Sequence, residues 1–365
     1  MTTPTTAPTT GSLPASMPAA VYVGDGVLAV DEVAVPAVGP GQVLVEVSHC
    51  GVCGTDLHLV HERIARPGTV LGHEWAGTIA AVGDGVTDWV VGDRVVCGPT
   101  PGCGTCRACR LRRPSVCLRR PPVDHLAFRG AFARYVQADA ARLLRVPDGL
   151  SLRHAALTEP VAIAVHAVNL SGVTPEDRVL VTGAGPVGML ILAVLRARGV
   201  HDVVVSEPAA ARRVRALEVG AAAVVVPEDL PVPAMGRPVP EPFSVAFECS
   251  GHATACESAL DQLDFAGTFV FVGTGHLPPR VNHNRVIILE LSLLGAYNYD
   301  PEGWQPALDL LASGALPTDL LIHVDDVPLD GLAEAMDRLA AGDIPAKAMV
   351  RPEVNAPADQ EGQTP

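Results

Sequence analysis

The stretch Gly51-Val52-Cys53-Gly54-Thr55-Asp56-Leu57-His58, followed by Gly72-His73-Glu74, sets a thiol, an imidazole and a carboxylate close together in sequence. These are ligand types that suit zinc. Thr55 and His58 add a hydroxyl and a base that titrates near neutrality. The set reads as an open, catalytic metal site; the competing reading of this stretch alone is a buried structural thiol with unrelated histidines.

Cys103, Cys106, Cys109 and Cys117 are separated by two, two and seven residues in a loop rich in Arg and Pro. Two-residue gaps let successive thiolates curl around one ion without help from helix or sheet, and four sulfurs complete a closed tetrahedral zinc site. Such a site orders a lobe and leaves no open position for chemistry. Two disulfides or four free thiols are the other readings. Seven of the nine cysteines fall between Cys50 and Cys117 in a sequence that shows no secretory signal, which favours metal ligation. Cys249 and Cys256 read as small core hydrophobes.

A third group is suited to phosphates. Arg178-Val179-Leu180-Val181-Thr182 reads as a strand and runs into Gly183-Ala184-Gly185-Pro186-Val187-Gly188, from which a helix continues to about Arg198. Gly183 allows the tight turn, Gly185 lets the backbone approach a pyrophosphate, and Gly188 lets helix and strand pack closely. The helix start supplies free N–H donors and the positive end of a dipole. Glu207, at the tip of the next strand, Asp202 to Ser206, stands where a carboxylate would bond the adenosine ribose hydroxyls. A carboxylate there repels a 2′-phosphate, so NAD is expected over NADP; Arg212 and Arg213 keep NADP in view. Gly273, after a further strand, joins the cofactor-contact candidates.

These motifs need elements to hold them. From Ala19 to Val47, and again at Gly77 to Val82 and Arg94 to Val96, short alternating runs are bounded by Gly and Pro turns, which predicts a small, irregular β-barrel or sandwich with the metal motifs on its loops. After Pro147, Ser151 to Leu170 reads as helical with an interruption at Thr158-Glu159-Pro160. Strands at 178–182, 202–206, 223–226, 245–249, 268–272 and 291–296, with helices at 187–198, 209–219 and 253–263, predict a doubly wound parallel sheet. Pro227 to Pro242 is a Pro-rich link where a helix would be expected. Gly303 to Ser313 and Leu329 to Ala341 read as amphipathic helices, and Ala346 to Val350 as a closing strand.

The 365 residues are enough for two cored domains. A net charge of −14 argues against a nucleic-acid partner, and the arginines at 107, 110, 112, 113, 119 and 120 read as a solvated loop around the cysteines. Met1 to Met17 carries neither a secretory nor a transit pattern and is expected to be a disordered tail. The most apolar segment, Met189 to Leu195, is too short to span a bilayer, so a soluble, cytoplasmic protein is expected.

With these pieces assembled, the chain from about Met17 to Arg351 resembles the zinc-dependent, medium-chain alcohol and polyol dehydrogenases. Gly72-His73-Glu74 and Glu159-Pro160 make it more similar to the sorbitol, glucose and threonine dehydrogenase-like branch. The resemblance implies an α/β protein in which a GroES-like β-rich catalytic domain, 18–160 and 299–352 with a zinc lobe at about 98–122, encloses a Rossmann domain at 161–298, with tails at 1–17 and 353–365. It implies two Zn2+ per chain, one structural on the four cysteines and one catalytic on Cys53, His73, Glu74 and Glu159, with the direct carboxylate ligand left open between the two glutamates. Thr55 resembles the hydroxyl that takes the substrate proton, and His58 the base that relays it. Arg212 resembles a cation beside the ribose. Lys347, the sole lysine of the chain, resembles one beside the pyrophosphate. The implied reaction is hydride transfer between NAD(H) and a secondary alcohol or ketone of a polyol, sugar, cyclitol or amino alcohol, in a homo-oligomer, dimer or tetramer.

Two other readings compete. One keeps the cofactor but reduces an imine or activated alkene without metal; complete ligands at Cys53 and His73 argue against it. The other is a non-catalytic NAD(H)-binding protein, in which the Thr55 and His58 relay has no purpose. His49, His61, His125 and His166 read as structural or exposed, while His125, Trp75 and Tyr297 are also candidates for a substrate pocket from their nearness to the motifs.

Overall fold

The computed structural model describes residues 13–99, 102–119, 129–275 and 277–352. β1 (Ser16–Gly24) turns back on β2 (Val27–Ala34) through Gly24-Asp25-Gly26, all three at positive φ. Ser16 and Met17, expected in the tail, instead open β1: Met17 is buried and its sulfur accepts the Tyr135 N–H at 3.3 Å. β3 (Gln42–Gly51) leads into α1 (Gly54–His61), then β4 (Thr69–Val70), β5 (Glu74–Val82) and β6 (Arg94–Cys97). The motif after Cys53 is thus helical rather than a loop. Its cause is Asp56, whose carboxylate accepts the Cys53 N–H at 3.0 Å and so caps the first turn. α2 (Arg107–Arg110) lies in the cysteine lobe, and β7 (Tyr135–Asp139) and β8 (Leu143–Arg145) follow.

α3 (Leu152–Ala155) and α4 (Thr158–Ser171) divide the expected helix just before the Thr-Glu-Pro sequence, because Pro160 is tolerated in a first helical turn and nowhere deeper. Then come β9 (Val179–Thr182), α5 (Pro186–Ala197), β10 (Val203–Ser206), α6 (Ala210–Val219), β11 (Ala223–Val225), β12 (Phe243–Glu248), α7 (Ala253–Asp261) and β13 (Leu263–Phe271). α8 (His283–Ile288), not foreseen, starts on the Asn282 side chain, which accepts the Arg285 N–H, and precedes β14 (Ser292–Gly295). The chain closes with α9 (Pro301–Ala312), α10 (Thr318–Leu321), β15 (Val327–Pro328), α11 (Leu332–Ala341) and β16 (Met349–Arg351). The Pro-rich link holds a single short 3-10 turn, Pro227–Asp229, and is pinned by Gln262 on the Pro231 carbonyl and Arg285 on the Arg237 carbonyl.

The strands build three sheets. One is β2-β1-β4; a seven-stranded sheet runs β15-β16-β3-β5-β6-β8 with β7 on β3; and six parallel strands run β11-β10-β9-β12-β13-β14. Strands from the far end of the chain therefore complete the first sheet system. In the parallel sheet the order reverses between β9 and β12, and the crevice beyond their carboxyl ends is where ligands bind in such folds. Apolar side chains cover both faces of that sheet, Val179, Val181 and Ile191 on one and Leu180, Ala246 and Phe269 on the other. α4 is buried on almost every side and packs against α5, α9, β5 and β13, so it is the pillar between the two sheet systems. Among the described residues no helix is long and apolar enough to cross a membrane.

Candidate active site and metal centres

Three side chains meet where β3, α1 and β5 converge. Cys53 caps α1, His73 precedes β5 and Glu74 opens it opposite Gly51, and one ligand atom from each lies within 4.8 Å of the others. Glu74 is buried, and its Oε2 has no partner among the described residues. A buried carboxylate oxygen without a partner is costly unless a cation meets it. Gly51 leaves room for this oxygen: a Cβ there would stand 2.1 Å from it.

Asp56 organises the set from below. It is buried, its Oδ1 lies 3.6 Å from His73 Nδ1 and accepts the Gly72 N–H at 3.3 Å, while its Oδ2 holds the Cys53 N–H. One carboxylate thus fixes both the thiol's and the imidazole's backbone and orients the imidazole ring. Burial works against a charge on His73, but Asp56 and Cys53 outweigh it and hold its pKa well above the usual value. Anions on three sides call for positive charge at this point, which suits a divalent metal on a thiolate, an imidazole and a carboxylate.

Lys347 enters from the loop before β16. Its ammonium donates to Glu74 Oε1 at 2.7 Å and to the Val52 carbonyl at 3.0 Å, wholly buried. Burial pushes its pKa down, but Glu74 and Cys53 more than reverse this and raise it. In this structure the charge is engaged with Glu74, because β16 pairs with β3 beside Gly51 and carries Lys347 under the metal site. Glu159, in the first turn of α4, stands outside the three-ligand cluster. Burial raises it to about 7, with Glu74 and Asp56 adding and His73 and Lys347 opposing, so it belongs to the same charge cluster.

On the outer side of the cluster, Thr55 and His58 lie three residues apart on α1, hence on one face. Thr55 is exposed, and His58 is paired through Nδ1 with Glu62.

Cys103, Cys106, Cys109 and Cys117 also offer four sulfurs within 4.8 Å of one another. The Cys106 sulfur lies 3.6 Å from that of Cys109 and 3.8 Å from that of Cys117. Tetrahedral zinc with ligands at ~2.3 Å needs sulfurs about 3.8 Å apart, so the set fits. Backbone N–H groups of Cys103 and Cys106 point at the Cys117 and Cys103 sulfurs, and the Thr105 hydroxyl, with the backbone N–H groups of Thr105 and Cys106, draws Cys103 down to about 6. The lobe is tied to the rest through Asp300, which accepts the Ser115 N–H at 3.2 Å and pairs with His166 of α4 at 3.2 Å.

At the carboxyl end of β9, Gly183 has φ +87° and its Cα passes so close to Ser250 that a Cβ would lie 3.0 Å from it. A Cβ on Gly188 would stand 1.9 Å from the Gly183 carbonyl oxygen. Gly185 caps α5, Pro186 fills its first position and Val187 follows, and the space beside Gly185 is open. Glu207 is buried beneath the turn, accepting the Ala184 N–H at 2.8 Å and the Ala209 N–H at 2.9 Å. Gly273 lets β13's end cross Gly251, where a Cβ would meet the backbone nitrogen at 2.4 Å. The strand, turn and helix have the form of a dinucleotide crevice, with N–H donors facing open space.

Comparison with known proteins agrees with both halves of this geometry. The family model described as "Alcohol dehydrogenase GroES-like domain" matches residues 39–148, and that described as "Zinc-binding dehydrogenase" matches residues 186–313. A sorbitol dehydrogenase of Halalkalibacterium halodurans is 34% identical over 79% of this chain and 85% of its own length. An L-threonine 3-dehydrogenase of Stenotrophomonas maltophilia is 31% identical over 86% of this chain and 93% of its own. The chain belongs to the zinc-dependent medium-chain alcohol and polyol dehydrogenases. A crystal structure from Sinorhizobium meliloti 1021, of a protein assigned as a zinc-binding dehydrogenase and bound to NADP, shares 31% identity and a TM-score of 0.81 with this dehydrogenase, over 92% of this chain and 99% of that one.

The other residues singled out in the sequence of this dehydrogenase have their own surroundings. Arg212 turns toward α11 and donates to the Leu339 carbonyl at 3.4 Å, whereas Arg213 donates to the Glu207 and Pro208 carbonyls. Trp75 is buried in the apolar core with Val45 and Phe132, since β5 alternates and Trp75 points away from Glu74's face. Tyr297 is exposed, and His125 lies outside the described residues. His49 pairs with Asp326 at 3.1 Å and His61 with Asp337 at 3.2 Å, in structural roles. Asp56 went unnoticed in sequence, although its place three residues after Cys53 is a capping signal. Tyr299 also went unnoticed. It stacks edge-on against Trp304 at 4.8 Å and is pushed up by burial, then by Glu159 and Cys97, so it borders the charge cluster.

Proposed function

We propose that this dehydrogenase moves a hydride between NAD(H) and a secondary alcohol or ketone of a polyol, sugar, cyclitol or amino alcohol, with two zinc ions per chain. The Cys53, His73 and Glu74 cluster carries the proposal, because it offers zinc three ligands and leaves a fourth position free, as a catalytic site requires. Glu74 is assigned as the direct carboxylate ligand and Glu159 as the carboxylate facing it. Zinc held by these residues would supply Lewis acidity for a substrate oxygen, and a nicotinamide in the crevice would supply the hydride acceptor. Thr55 takes the alcohol proton and His58 passes it to solvent, steadied by Glu62. Lys347 neutralises one oxygen of Glu74 and leaves the other for the metal.

NAD is favoured over NADP because Glu207, held by two backbone N–H groups, presents a carboxylate that would repel a 2′-phosphate. The catalytic unit is assigned to 18–160 with 299–352 and the cofactor unit to 161–298, since β15 and β16 join the sheet of β3. Self-association is assigned to the open edge of the parallel sheet at β14. The test is a panel of polyols, sugars and amino alcohols read by NAD(P)H absorbance with both cofactors, together with Cys53→Ser. Turnover with some member, preferring NAD and falling at least about 1,000-fold in Cys53→Ser while the fold survives, is expected. Full activity in Cys53→Ser, or in metal-stripped folded enzyme, would remove the catalytic zinc and favour imine or alkene reduction.

A further inference from the structure

Arg142, which closes the short turn before β8, is a cation that meets no carboxylate among the described residues. Some arginines are matched with carboxylates, Arg134 with Glu46, Arg145 with Asp93 and Arg153 with Asp326, while Arg212 and Arg213 meet backbone carbonyls. Arg142 has only neutral acceptors among the described residues. Its Nη2 donates to the Gly98 carbonyl at 3.2 Å and approaches the Cys97 sulfur at 3.8 Å, and its buried Nε bonds nothing. A half-buried guanidinium left in this state is costly unless an anion arrives.

Its place in the sheet puts it at the metal site. Glu74 lies opposite Gly51, Ala76 opposite Val96, and Cys97 opposite Leu143. Extending these registers sets Gly98 between Glu74 and Arg142, two strand spacings or ~10 Å apart. The close approach is visible directly, since a Cβ on Gly98 would stand 1.9 Å from the Arg142 carbonyl oxygen. From this row the guanidinium reaches the Cys97 side of the cleft. Tyr299 and Cys97 feel its charge together with those of Glu159 and His73, so all belong to one neighbourhood.

Resting on the dehydrogenase reading above, we propose that Arg142 is the specificity-determining anchor for an anionic group on the substrate, so that the preferred substrate is a polyhydroxy compound bearing a carboxylate or a phosphate. The planar fork matches either group bidentately.

The experiment compares a neutral hexitol, the matching aldonate and the hexitol phosphate as substrates of the zinc-loaded enzyme, in wild type, Arg142→Ala and Arg142→Lys. In the wild type one anionic member should exceed the neutral hexitol in kcat/KM by about 30-fold. Arg142→Ala should erase that ratio while changing the neutral hexitol by less than about threefold, and Arg142→Lys should restore part of it. Which anionic arm responds tells carboxylate from phosphate. Equal use of neutral and anionic members by the wild type, or an equal loss for both in Arg142→Ala, overturns the assignment. Binding of the same compounds to the enzyme–NADH complex, read by cofactor fluorescence, separates the two claims. An Arg142-dependent preference for the anion without any turnover removes the hydride-transfer reading and keeps the anchor.

Discussion

Asp56 makes three contacts with one carboxylate, and each bears on a different part of the site: the Cys53 N–H, the Gly72 N–H and the His73 ring. Replacing it with asparagine keeps the shape but presents an amide nitrogen to donors, so at least one contact is lost and the imidazole loses the charge that orients it. Asp56→Asn is therefore expected to weaken zinc at the catalytic site about 10- to 100-fold and leave the four-cysteine site alone. Chelator competition resolving the two zinc populations reads this directly; unchanged affinity at the weaker site would mean that Asp56 serves only the helix cap. The three ligand types could be read from the sequence because they sit in two short motifs. The pairing of Lys347 with Glu74 and the place of Tyr299 near Glu159 could not, since these partners lie far apart along the chain and meet only when β16 and the segment after β14 fold back.

At the scale of elements, periodicity predicted what packing decides uniformly. The run of β9 is buried at every residue and reads as a central parallel strand, and α5 follows its glycine turn in the expected place. Elements formed by a local bond against weak propensity were harder to see. α1 begins with Gly54 and Thr55 and exists because Asp56 caps it and Val60 anchors it in the core; α8 depends on Asn282 in the same way. The cysteine lobe is a third case, with a four-residue helix that buries none of its own residues. Its order must come from the sulfur cluster and from the Asp300 bridge to Ser115 and His166. Cys106→Ser should then lower zinc content to one per chain and the apparent melting temperature by roughly 5 °C or more. Metal analysis with differential scanning calorimetry checks both. A variant with one zinc and an unchanged transition would show that the lobe folds without its ion.

The whole molecule leaves one edge of its parallel sheet uncovered. β14 is the last strand of that sheet, with Ser292, Leu293 and Gly295 exposed. Phe265 on β13 and Ile287 and Ile288 on α8 are exposed on neighbouring elements, at 61%, 68% and 51%. The opposite edge, β11, is only three residues long and offers less. A strand edge with free N–H and C=O groups beside apolar side chains invites another strand, and a two-fold axis lets the same edge serve both copies. Pairing β14 with its copy antiparallel would extend the six parallel strands across the axis and bury those side chains. The wild-type chain of 37.9 kDa should therefore run in light scattering at an even multiple of that mass. Leu293→Lys should reduce the mass to a single chain, because a charge inside a strand pair has no partner there. It should also leave NADH binding by the separated chain measurable, since Gly183 and Glu207 follow β9 and β10, away from this edge. A monomeric wild type, or a variant whose mass does not change, would place any association on another surface.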